Sequence, residues 1–427
     1  MKASTLLRIC RDRWKAENWR EKVWACQRLA GRLARTAHRE NRNFASVIAR
    51  DQVRFLLRTI RPIRGQTSDR ADAAAHWLLR AQDSTRDDGV SFGYFPVDPD
   101  EAGKWRRSYP ETTGYIIPTL LEYAERRRRE DIVERCQKMA RWETEVQMPS
   151  GAVQGGTVCS PEQQTPAVFN TGMVLHGLAA ALRSGADGTI RSAARRAADF
   201  LVRDQGPDGH FRTHGAFVAA DRIKTYNCLC GWSLLRFSEE SGESKYREAG
   251  IRAVEAAISQ QKENGWFAND CLERPEAPLL HTIGYTLQGI LEVGILAGRK
   301  DMVEAVRRGI HPIMARIGLS GFLHGRYYED WEPATFGSCL TGNAQIASVC
   351  YRLFETTGEN RYLQAGDRIV DHLKALQVLD SPDPSVNGAL PGSFPILGEY
   401  MTAGYPNWAT KYFLDALMHQ ERLSSPG

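Results

Sequence analysis

Four carboxylic acids stand where loops are expected to meet helices: Glu111, Asp270, Glu329 and Asp330. Two carboxyl groups that face each other can divide the work of acid and base when a bond is cleaved. Simpler roles are open to the same residues. A carboxylate such as Glu111 is favoured at a helix N-terminus, and Glu329 or Asp330 could be solvated in a long loop.

A second set of residues suits proton abstraction, with a base, an acid and a cation that holds a carboxylate. Tyr and His side chains act as general acids and bases, and Arg grips a carboxylate through two hydrogen bonds. A histidine at a helix start could equally be a hydrogen-bonded core residue, and a tyrosine often only packs. The set comprises Tyr226, His281, His214, Tyr327 and Arg326. From both sets, the expected catalytic residues are Tyr226, His281, Glu111 and Asp330.

These residues recur at similar places in a repeated unit. Six Gly-rich loops are each followed by a helix-like stretch with a glycine in its first turns, at intervals of 58, 59, 53, 58 and 62 residues. Such a period indicates one supersecondary unit repeated along the chain. The six glycines are Gly114, Gly172, Gly231, Gly284, Gly342 and Gly404.

Two kinds of helix alternate within the repeat. One kind is charged and amphipathic, which predicts an outer, half-solvated helix; its ranges are 68–83, 130–147, 188–205, 243–261, 299–317 and 359–377. The other kind is apolar or small-residue-rich all round, which predicts burial; its ranges are 111–126, 168–183, 224–240, 280–297, 338–356 and 405–420.

The six helix pairs predict a closed ring. An open array needs polar terminal caps, whereas the last inner helix, at 405–420, is as apolar as the middle ones. We therefore expect an all-α (α/α)6 toroid over 68–427, preceded by a helical arm over 1–67. All loops that lead from an outer to an inner helix then open on one face. That face is rich in aromatic residues and is the expected place of a cleft.

The six-hairpin repeat and the segment SYPETTGYIIPTLLEY at 108–123 carry a resemblance to a known superfamily. The chain resembles the toroid superfamily that includes carbohydrate-active six-hairpin enzymes, the C-terminal domain of glucuronyl C5-epimerases, and the prenyltransferase and terpene-cyclase toroids. It looks closest to toroid proteins encoded with exopolysaccharide biosynthesis machinery. The resemblance covers about residues 68–427.

The motifs of several branches of that superfamily do not occur here. The DxDD motif of terpene cyclases is missing, and Asp270 and Cys271 are adjacent where protein prenyltransferases have Asp-x-Cys. The string from Cys228 to Trp232 differs from the cysteine motifs of lanthionine cyclases. No Walker A or dinucleotide-binding motif is present, so no cofactor and no metal ion are expected. The resemblance then favours a carbohydrate substrate.

Three functions stay open on that basis. They are proton abstraction beside a uronate carboxylate (an epimerase or lyase), hydrolysis of a glycosidic bond by paired carboxylates, and glycan binding or scaffolding without catalysis. The partner implied is a polysaccharide or a lipid-linked glycan in exopolysaccharide biosynthesis. The expected substrate-binding residues are Tyr94, Tyr115, Asn170, His214, Asn227, Trp266, Asp270, Arg326, Tyr327, Tyr328, Asn407 and Trp408.

The charge is distributed unevenly between the arm and the ring. Residues 1–67 hold 17 Lys and Arg against 5 Asp and Glu, whereas the remaining residues hold 39 against 46. A basic segment that carries Trp14, Trp19 and Trp24 suits an anionic membrane surface or a glycosyltransferase, or ordinary packing on the ring. Nucleic-acid binding is disfavoured because no recognised nucleic-acid-binding motif is present.

The remaining bulk features indicate an intracellular setting. The nine cysteines are scattered without a C-x-x-C pair, which favours reduced thiols. The N-terminus lacks the apolar core of a secretory signal. We therefore expect a cytoplasmic protein, with the arm at the inner face of the membrane.

Overall fold

The computed structural model describes residues 3–16, 31, 42–215 and 223–424. Twelve of the fourteen described α-helices form two concentric layers, and two further helices belong to the arm. The inner helices are α4 (Pro110–Arg127), α6 (Val168–Arg183), α8 (Leu229–Ser241), α10 (Leu280–Ala297), α12 (Leu340–Thr357) and α14 (Asn407–Ser424). The outer helices are α3 (Thr67–Asp83), α5 (Glu130–Val146), α7 (Gly188–Asp204), α9 (Ser244–Ile258), α11 (Lys300–Met314) and α13 (Asn360–Lys374).

The ring is closed by the two ends of the repeat. Each of the first five inner helices packs on the outer helix that follows it and on its inner neighbours. The last inner helix, α14, packs on the first inner helix α4 and on the first outer helix α3. The short strands β1 (Gly93–Tyr94) and β6 (Tyr405–Pro406) pair across the same junction. The prediction of a closed (α/α)6 toroid is confirmed.

Among the described residues, two more short ladders and three turns of 3-10 helix lie in the loops. Strand β2 (Val153–Gln154) pairs with β3 (Pro166–Ala167), and β4 (Ser338–Cys339) pairs with β5 (Ser393–Phe394). The 3-10 turns are Pro161–Gln163, Thr225–Cys228 and Pro384–Val386. All these segments lie in the long connections that lead to the inner helices, so they shape the face where those helices begin.

The difference between the layers follows from their sequences. In α6 every residue from Val168 to Leu182 is buried. The sequence of that helix is rich in alanine, leucine, valine and glycine on all of its sides, so every side can pack against neighbouring helices. In α7, by contrast, the buried residues form one stripe that includes Ile190, Ala194 and Leu201. An apolar stripe on one side and charge on the other is the pattern of a helix that covers a core.

The repeated glycines allow neighbouring helices to approach closely. A Cβ atom at Gly114 would lie 2.6 Å from the carbonyl oxygen of Met173 on α6, and one at Gly342 would lie 2.7 Å from the backbone nitrogen of His281 on α10. Gly231 instead meets Gly250 of the outer helix α9. Gly404 precedes strand β6 rather than lying in a helix. Gly114, Gly231 and Gly342 therefore mark close backbone contacts, whereas a Cβ atom at Gly172, Gly284 or Gly404 would first meet a side chain.

The described parts of the arm pack against loops of the ring and its main core. Helix α1 (Ala3–Ala16) buries Ile9 against Tyr328, and the guanidinium of Arg8 lies 3.8 Å from the centre of the Tyr328 ring. Helix α2 (Arg42–Leu56) buries Phe44 and Ile48 in the main core. Trp19 and Trp24 lie outside the described residues. Within the described part, no helix is both long enough and apolar enough to cross a bilayer.

Candidate functional site

A cavity of about 320 Å³ lies where the inner helices begin. Side chains at the starts of α4, α6, α10 and α14 form its walls, together with residues of the connecting loops. Of the residues expected from the sequence, five line this cavity: Glu111, Tyr115, Tyr226, His281 and Trp408. The other lining residues are Phe92, Tyr109, Phe169, Lys224, Leu272, Glu273, Thr282, Tyr285, Tyr400 and Met401.

Glu111 is a buried carboxyl group in the first turn of α4 and lines this cavity. Glu111 is only 8% exposed, and burial raises the pKa of Glu111 to about 7, although the hydrogen bond from Tyr109 opposes that rise. The Tyr109 hydroxyl donates to Glu111 Oε2 over 2.6 Å. Near neutral pH this carboxyl can therefore hold or release a proton, which is the property of a general acid or base.

His281 lies in the first turn of α10 with its ring buried. Its Nδ1 atom is 2.8 Å from Gln345 Oε1 on α12, and this contact fits the tautomer in which Nδ1 carries the proton. Burial lowers the pKa of His281 to about 4. The imidazole is therefore neutral at pH 7, and in this tautomer its Nε2 atom is a hydrogen-bond acceptor.

Aromatic rings form most of the cavity wall. Phe169 lies 4.7 Å from Tyr285 and 5.2 Å from Tyr226, measured between ring centres. On the opposite side Trp408 donates from Nε1 to the Tyr400 hydroxyl over 2.8 Å. Such walls, with few polar groups among them, are typical of pockets that take small organic ligands.

The polar rim of the cavity is formed by Lys224 and Glu273. Lys224 is half-buried, and its Nζ atom donates to the carbonyl oxygen of Leu272 over 2.7 Å. Glu273 is exposed. The lysine places a positive charge beside the aromatic wall.

The expected asparagines hold loops to the inner helices instead of lining the cavity. Asn170 Nδ2 donates to the carbonyl oxygen of Gln154 over 3.0 Å, and Asn227 Nδ2 donates to that of Gly215 over 2.9 Å. Asn407 Nδ2 donates to the carbonyl oxygen of Ser91 and to Thr112 Oγ1, both over 2.7 Å. Asn170 and Asn227 thus fix the loop before their own helix, whereas Asn407 fixes the loop before the first inner helix, α4, across the closure of the ring.

Asp270 lies outside the lining of the cavity, with its side chain buried. Its Oδ1 atom accepts a hydrogen bond from Thr286 Oγ1 over 2.8 Å, whereas Oδ2 has no partner within the described residues. Burial raises the pKa of Asp270 to about 7. The backbone carbonyl oxygen of Asp270 also accepts from Thr282 Oγ1 over 2.7 Å, so Asp270 ties its loop to the first turns of α10.

In the long loop before α12, polar side chains form hydrogen bonds with other parts of the protein. Arg326 Nη1 donates to the carbonyl oxygen of Ala277 over 2.7 Å, and its Nε donates to Glu399 over 3.1 Å. Tyr327 is fully buried, and its hydroxyl accepts from the backbone nitrogen of His324. The structure therefore places Arg326 and Tyr327 outside the cavity lining.

Asp330 and Tyr328 meet helix α1. The Arg8 guanidinium donates to Asp330 Oδ2 over 2.6 Å, and its charge and hydrogen bond outweigh the effect of partial burial, so the pKa of Asp330 falls below its usual range. Tyr328 packs under the same guanidinium. These two residues attach the arm to the ring.

The remaining expected residues are also engaged elsewhere. Tyr94 donates to Asp383 Oδ2 over 2.9 Å, and His214 Nδ1 lies 2.6 Å from Asp204 Oδ1. Trp266 packs edge-on against Trp331 at 5.2 Å. Among the described side chains, no three His, Cys, Asp or Glu residues converge as a metal site.

Sequence reasoning missed Tyr109, Phe169, Lys224 and Tyr400 among the wall and rim residues. Tyr109 comes one residue before α4, and Lys224 comes just before the 3-10 turn that leads into α8. A search that had begun two residues before the inner helix expected at 111–126 would have found Tyr109, and Lys224 is itself the first residue of the inner helix expected at 224–240. Tyr400 lies in an irregular loop, where no periodic signal exists.

Comparisons with known proteins support the fold. The sequence matches no protein-family model, and no curated protein matches it. Solved structures match in three dimensions. An unsaturated glucuronyl hydrolase specific for heparin superposes with a TM-score of 0.65 at 13% identity, over 84% of this chain and 97% of that one.

Two further structures show the same similarity. The unsaturated glucuronyl hydrolase of Bacillus sp. GL1 gives a TM-score of 0.64 at 16% identity, over 84% of this chain and 96% of that one. A polysaccharide lyase gives 0.59 at 11% identity, over 85% and 100%. At such identities the likeness establishes a shared toroid fold.

Proposed function

We propose that this protein is a glycan-processing enzyme in which Glu111 transfers a proton to or from a uronate-type sugar in the aromatic cavity. One observation carries the proposal: a buried carboxyl group with a pKa of about 7 lines a cavity walled by aromatic rings. A pKa near the working pH suits a proton-transfer group. The similar structures, glucuronyl hydrolases and a polysaccharide lyase, support a uronate-containing substrate.

Hydrolysis driven by one acid fits this cavity better than cleavage by two carboxylates. Within the described part of the lining, the second carboxyl group is Glu273, which is exposed at the rim. A glycosidase of the usual kind needs a matched pair on either side of the bond. The paired-carboxylate mechanism is therefore the weaker form of the hydrolase proposal.

An unsaturated uronate needs only one acid. Its double bond between C4 and C5 is part of an enol ether, because C5 carries the ring oxygen. The Glu111 carboxylic acid would add its proton to C4, and water would add to the resulting cation at C5 and return a proton to the carboxylate. The hemiketal so formed rearranges and releases the neighbouring sugar. Lys224 would hold the uronate carboxylate, since Arg326 is engaged by Glu399.

Proton abstraction is the second candidate, and the neutral imidazole of His281 favours it. In the tautomer described above, the Nε2 atom is free to accept a proton. However, a pKa of about 4 makes this imidazole a weak base. Epimerisation also requires a proton donor on the opposite face of the sugar carbon. We therefore rank an epimerase or lyase below the hydrolase.

One experiment separates these reactions. The protein is incubated in deuterated water with unsaturated uronate disaccharides and with saturated uronate polymers, while ultraviolet absorbance and deuterium at C5 are followed. Loss of the absorbance of the double bond supports the hydrolase, and a gain from the polymers supports a lyase. Deuterium at C5 without an absorbance change supports an epimerase.

Two variants test the role of Glu111 in whichever reaction is found. Glu111→Gln should reduce kcat at least a hundredfold, within the range attributed to general acid–base catalysis. Glu134→Gln, at an exposed position of α5, should leave kcat unchanged. Retention of full activity by Glu111→Gln would contradict the proposal. Glycan binding without any turnover would favour a binding or scaffold protein.

We also propose that the basic arm contacts an anionic membrane surface, in keeping with a role in exopolysaccharide biosynthesis. Supporting this, Val53, Leu56 and Leu57 of the α2 region are exposed next to Arg50 and Arg58. Basic residues beside an exposed apolar stripe suit an anionic lipid interface.

Co-sedimentation with vesicles that contain phosphatidylserine tests this contact. The double variant Leu56→Ser, Leu57→Ser should reduce binding, whereas Leu379→Ser, at a partly exposed leucine outside the arm, should not. Binding only to a glycosyltransferase, and not to vesicles, would favour a protein partner for the arm.

A further inference from the structure

A second and larger cavity lies at the opposite face of the ring. It has a volume of about 970 Å³ and is lined by residues from all six inner helices, mostly from their middle and C-terminal turns, together with Glu130 and Val133 of the outer helix α5. The lining is rich in charged side chains, in contrast to the aromatic wall around Glu111. No described residue that lines this cavity also lines the cavity around Glu111, and the proposed reaction does not involve it.

The charges on one side of the second cavity neutralise each other. Arg352 of α12 donates to both carboxylate oxygens of Glu292 on α10, over 2.7 and 3.0 Å. Lys411 of α14 donates to Asp415 over 2.7 Å, and Thr119 donates to the same carboxylate over 2.7 Å. This side therefore offers little net charge to a ligand.

The side formed by α6 and α8 is different, because two arginines line it while their acidic neighbours, Glu239 and Glu240, lie outside the lining of the cavity. The Arg183 guanidinium makes no hydrogen bond within the described residues, and its nearest carboxylate oxygen, on Glu240, lies 4.0 Å away. Arg236 makes one contact of 3.1 Å to the half-exposed Glu239. Burial, and then the positive charge of Arg236, lower the pKa of Arg183.

Buried polar groups without partners lie beside these arginines. His176 is one of them: its side chain lines the cavity, is 6% exposed, and has no hydrogen-bond partner on Nδ1. Its ring lies 4.2 Å from that of Trp232, whose Nε1 atom also lacks a partner. On α6, His176 and Arg183 are seven residues apart and so share a face, as do Trp232 and Arg236 on α8.

The helix ends alone would not favour an anion here. The C-terminal end of a helix carries about half a negative charge, and six such ends converge on this face. Two arginines on neighbouring helices reverse that preference locally, and their planar guanidinium groups match the oxygens of carboxylates and phosphates. A ligand with such a group would satisfy donors that the protein leaves unused.

We propose that this cavity is a second ligand site, which binds a small molecule bearing a carboxylate or phosphate group through Arg183 and Arg236. The anionic group lies between the two guanidinium groups, and the body of the ligand extends along His176 and Trp232 toward the middle of the ring. The site is separate from the Glu111 cavity and does not depend on the reaction there.

Calorimetric titration of the full chain tests the site with four probes: inorganic phosphate, glucuronate, glucose 1-phosphate and, as the neutral control, glucose. The anionic probes should bind and glucose should not. Arg183→Met and Arg236→Met should each weaken binding about tenfold or more, because each removes charge-assisted hydrogen bonds. Arg86→Met, at an exposed loop position outside both cavities, is the matched control.

The sites are distinguished by Lys224→Met, which removes the cation proposed to hold a uronate in the Glu111 cavity and should leave the binding of inorganic phosphate through Arg183 and Arg236 unchanged. Comparison of glucuronate with glucose 1-phosphate shows which anionic group the arginines prefer. The proposal is overturned if glucose binds as well as the anions, if no probe gives saturable binding, or if the arginine variants bind like the unmodified protein. Circular dichroism of each variant confirms that loss of binding is not loss of fold.

Discussion

Replacement of Glu111 by glutamine should lower kcat at least a hundredfold and, at neutral pH, raise the free energy of unfolding. Glutamine retains the shape of the side chain and can still accept the hydrogen bond from Tyr109. It removes only the ability to ionise. The variant therefore isolates the energetic cost of placing an ionisable carboxyl group in the aromatic cavity.

The size of the effect follows from the pKa of Glu111, which moves from its ordinary 4.5 to about 7 in the folded protein. At 1.36 kcal/mol for each pKa unit, ionising this carboxyl inside the fold costs about 3 kcal/mol. Below pH 4.5 the carboxyl is protonated in both states, so the cost is absent. Between pH 4.5 and 7 the unfolded chain ionises first and stability falls, and above pH 7 the cost is constant.

Urea unfolding at pH 5 and pH 8 measures this dependence. The stability difference between Glu111→Gln and the unmodified protein should grow by about 2 kcal/mol or more from pH 5 to pH 8. Glu134→Gln, which changes an exposed carboxyl group on α5, controls for the general loss of a negative charge. Its stability should follow that of the unmodified protein.

A difference that stays constant between the two pH values would refute the reasoning. It would mean that Glu111 ionises as readily in the folded protein as in the unfolded chain. The case for Glu111 as a proton donor near neutral pH would then fail as well. A stabilised but inactive variant would instead show the exchange of stability for function that active sites commonly display.

Two other substitutions test the site and the ring. Tyr109→Phe removes the hydrogen bond that lowers the pKa of Glu111, so the alkaline limb of the pH profile of kcat/KM should move to higher pH; an unchanged limb would show that another group controls it. Gly172→Ala would place a Cβ atom 2.3 Å from Cys230 Sγ. In a urea titration it should reduce the free energy of unfolding by about 1–3 kcal/mol. The control Gly188→Ala, whose Cβ atom would meet open space, should have little effect.

Most of the ring could be predicted from the sequence because its helices are long and of two clear types. The outer helices have one apolar stripe, and the inner helices are apolar on all sides. The inner helix expected at 168–183 is observed over the same residues, and the outer helix expected at 130–147 ends one residue earlier. The stretch expected at 224–240 begins instead as a 3-10 turn over Thr225–Cys228. The short strands could not be predicted, since two-residue ladders carry no periodic signal.

The candidate site could be predicted only where helix geometry decides position. Glu111 and His281 line one cavity because both occupy the first turn of an inner helix, and the ring brings those turns together. Arg326 and Asp330 lie in a long loop, where their positions depend on partners such as Glu399 and Arg8. Such partners are distant in the chain, and no spacing rule indicates them.

The same helices explain why sequence reasoning found one cavity and overlooked the other. Successive turns of an inner helix face the middle of the ring at intervals of three or four residues. On α10, His281 and Tyr285 line the first cavity, and Gln288 and Glu292 line the second. Candidate residues chosen only at helix starts therefore include those of the first cavity and omit those of the second. Both cavities thus lie along the same inner helices, one at the starts of those helices and the other closer to their C-terminal ends.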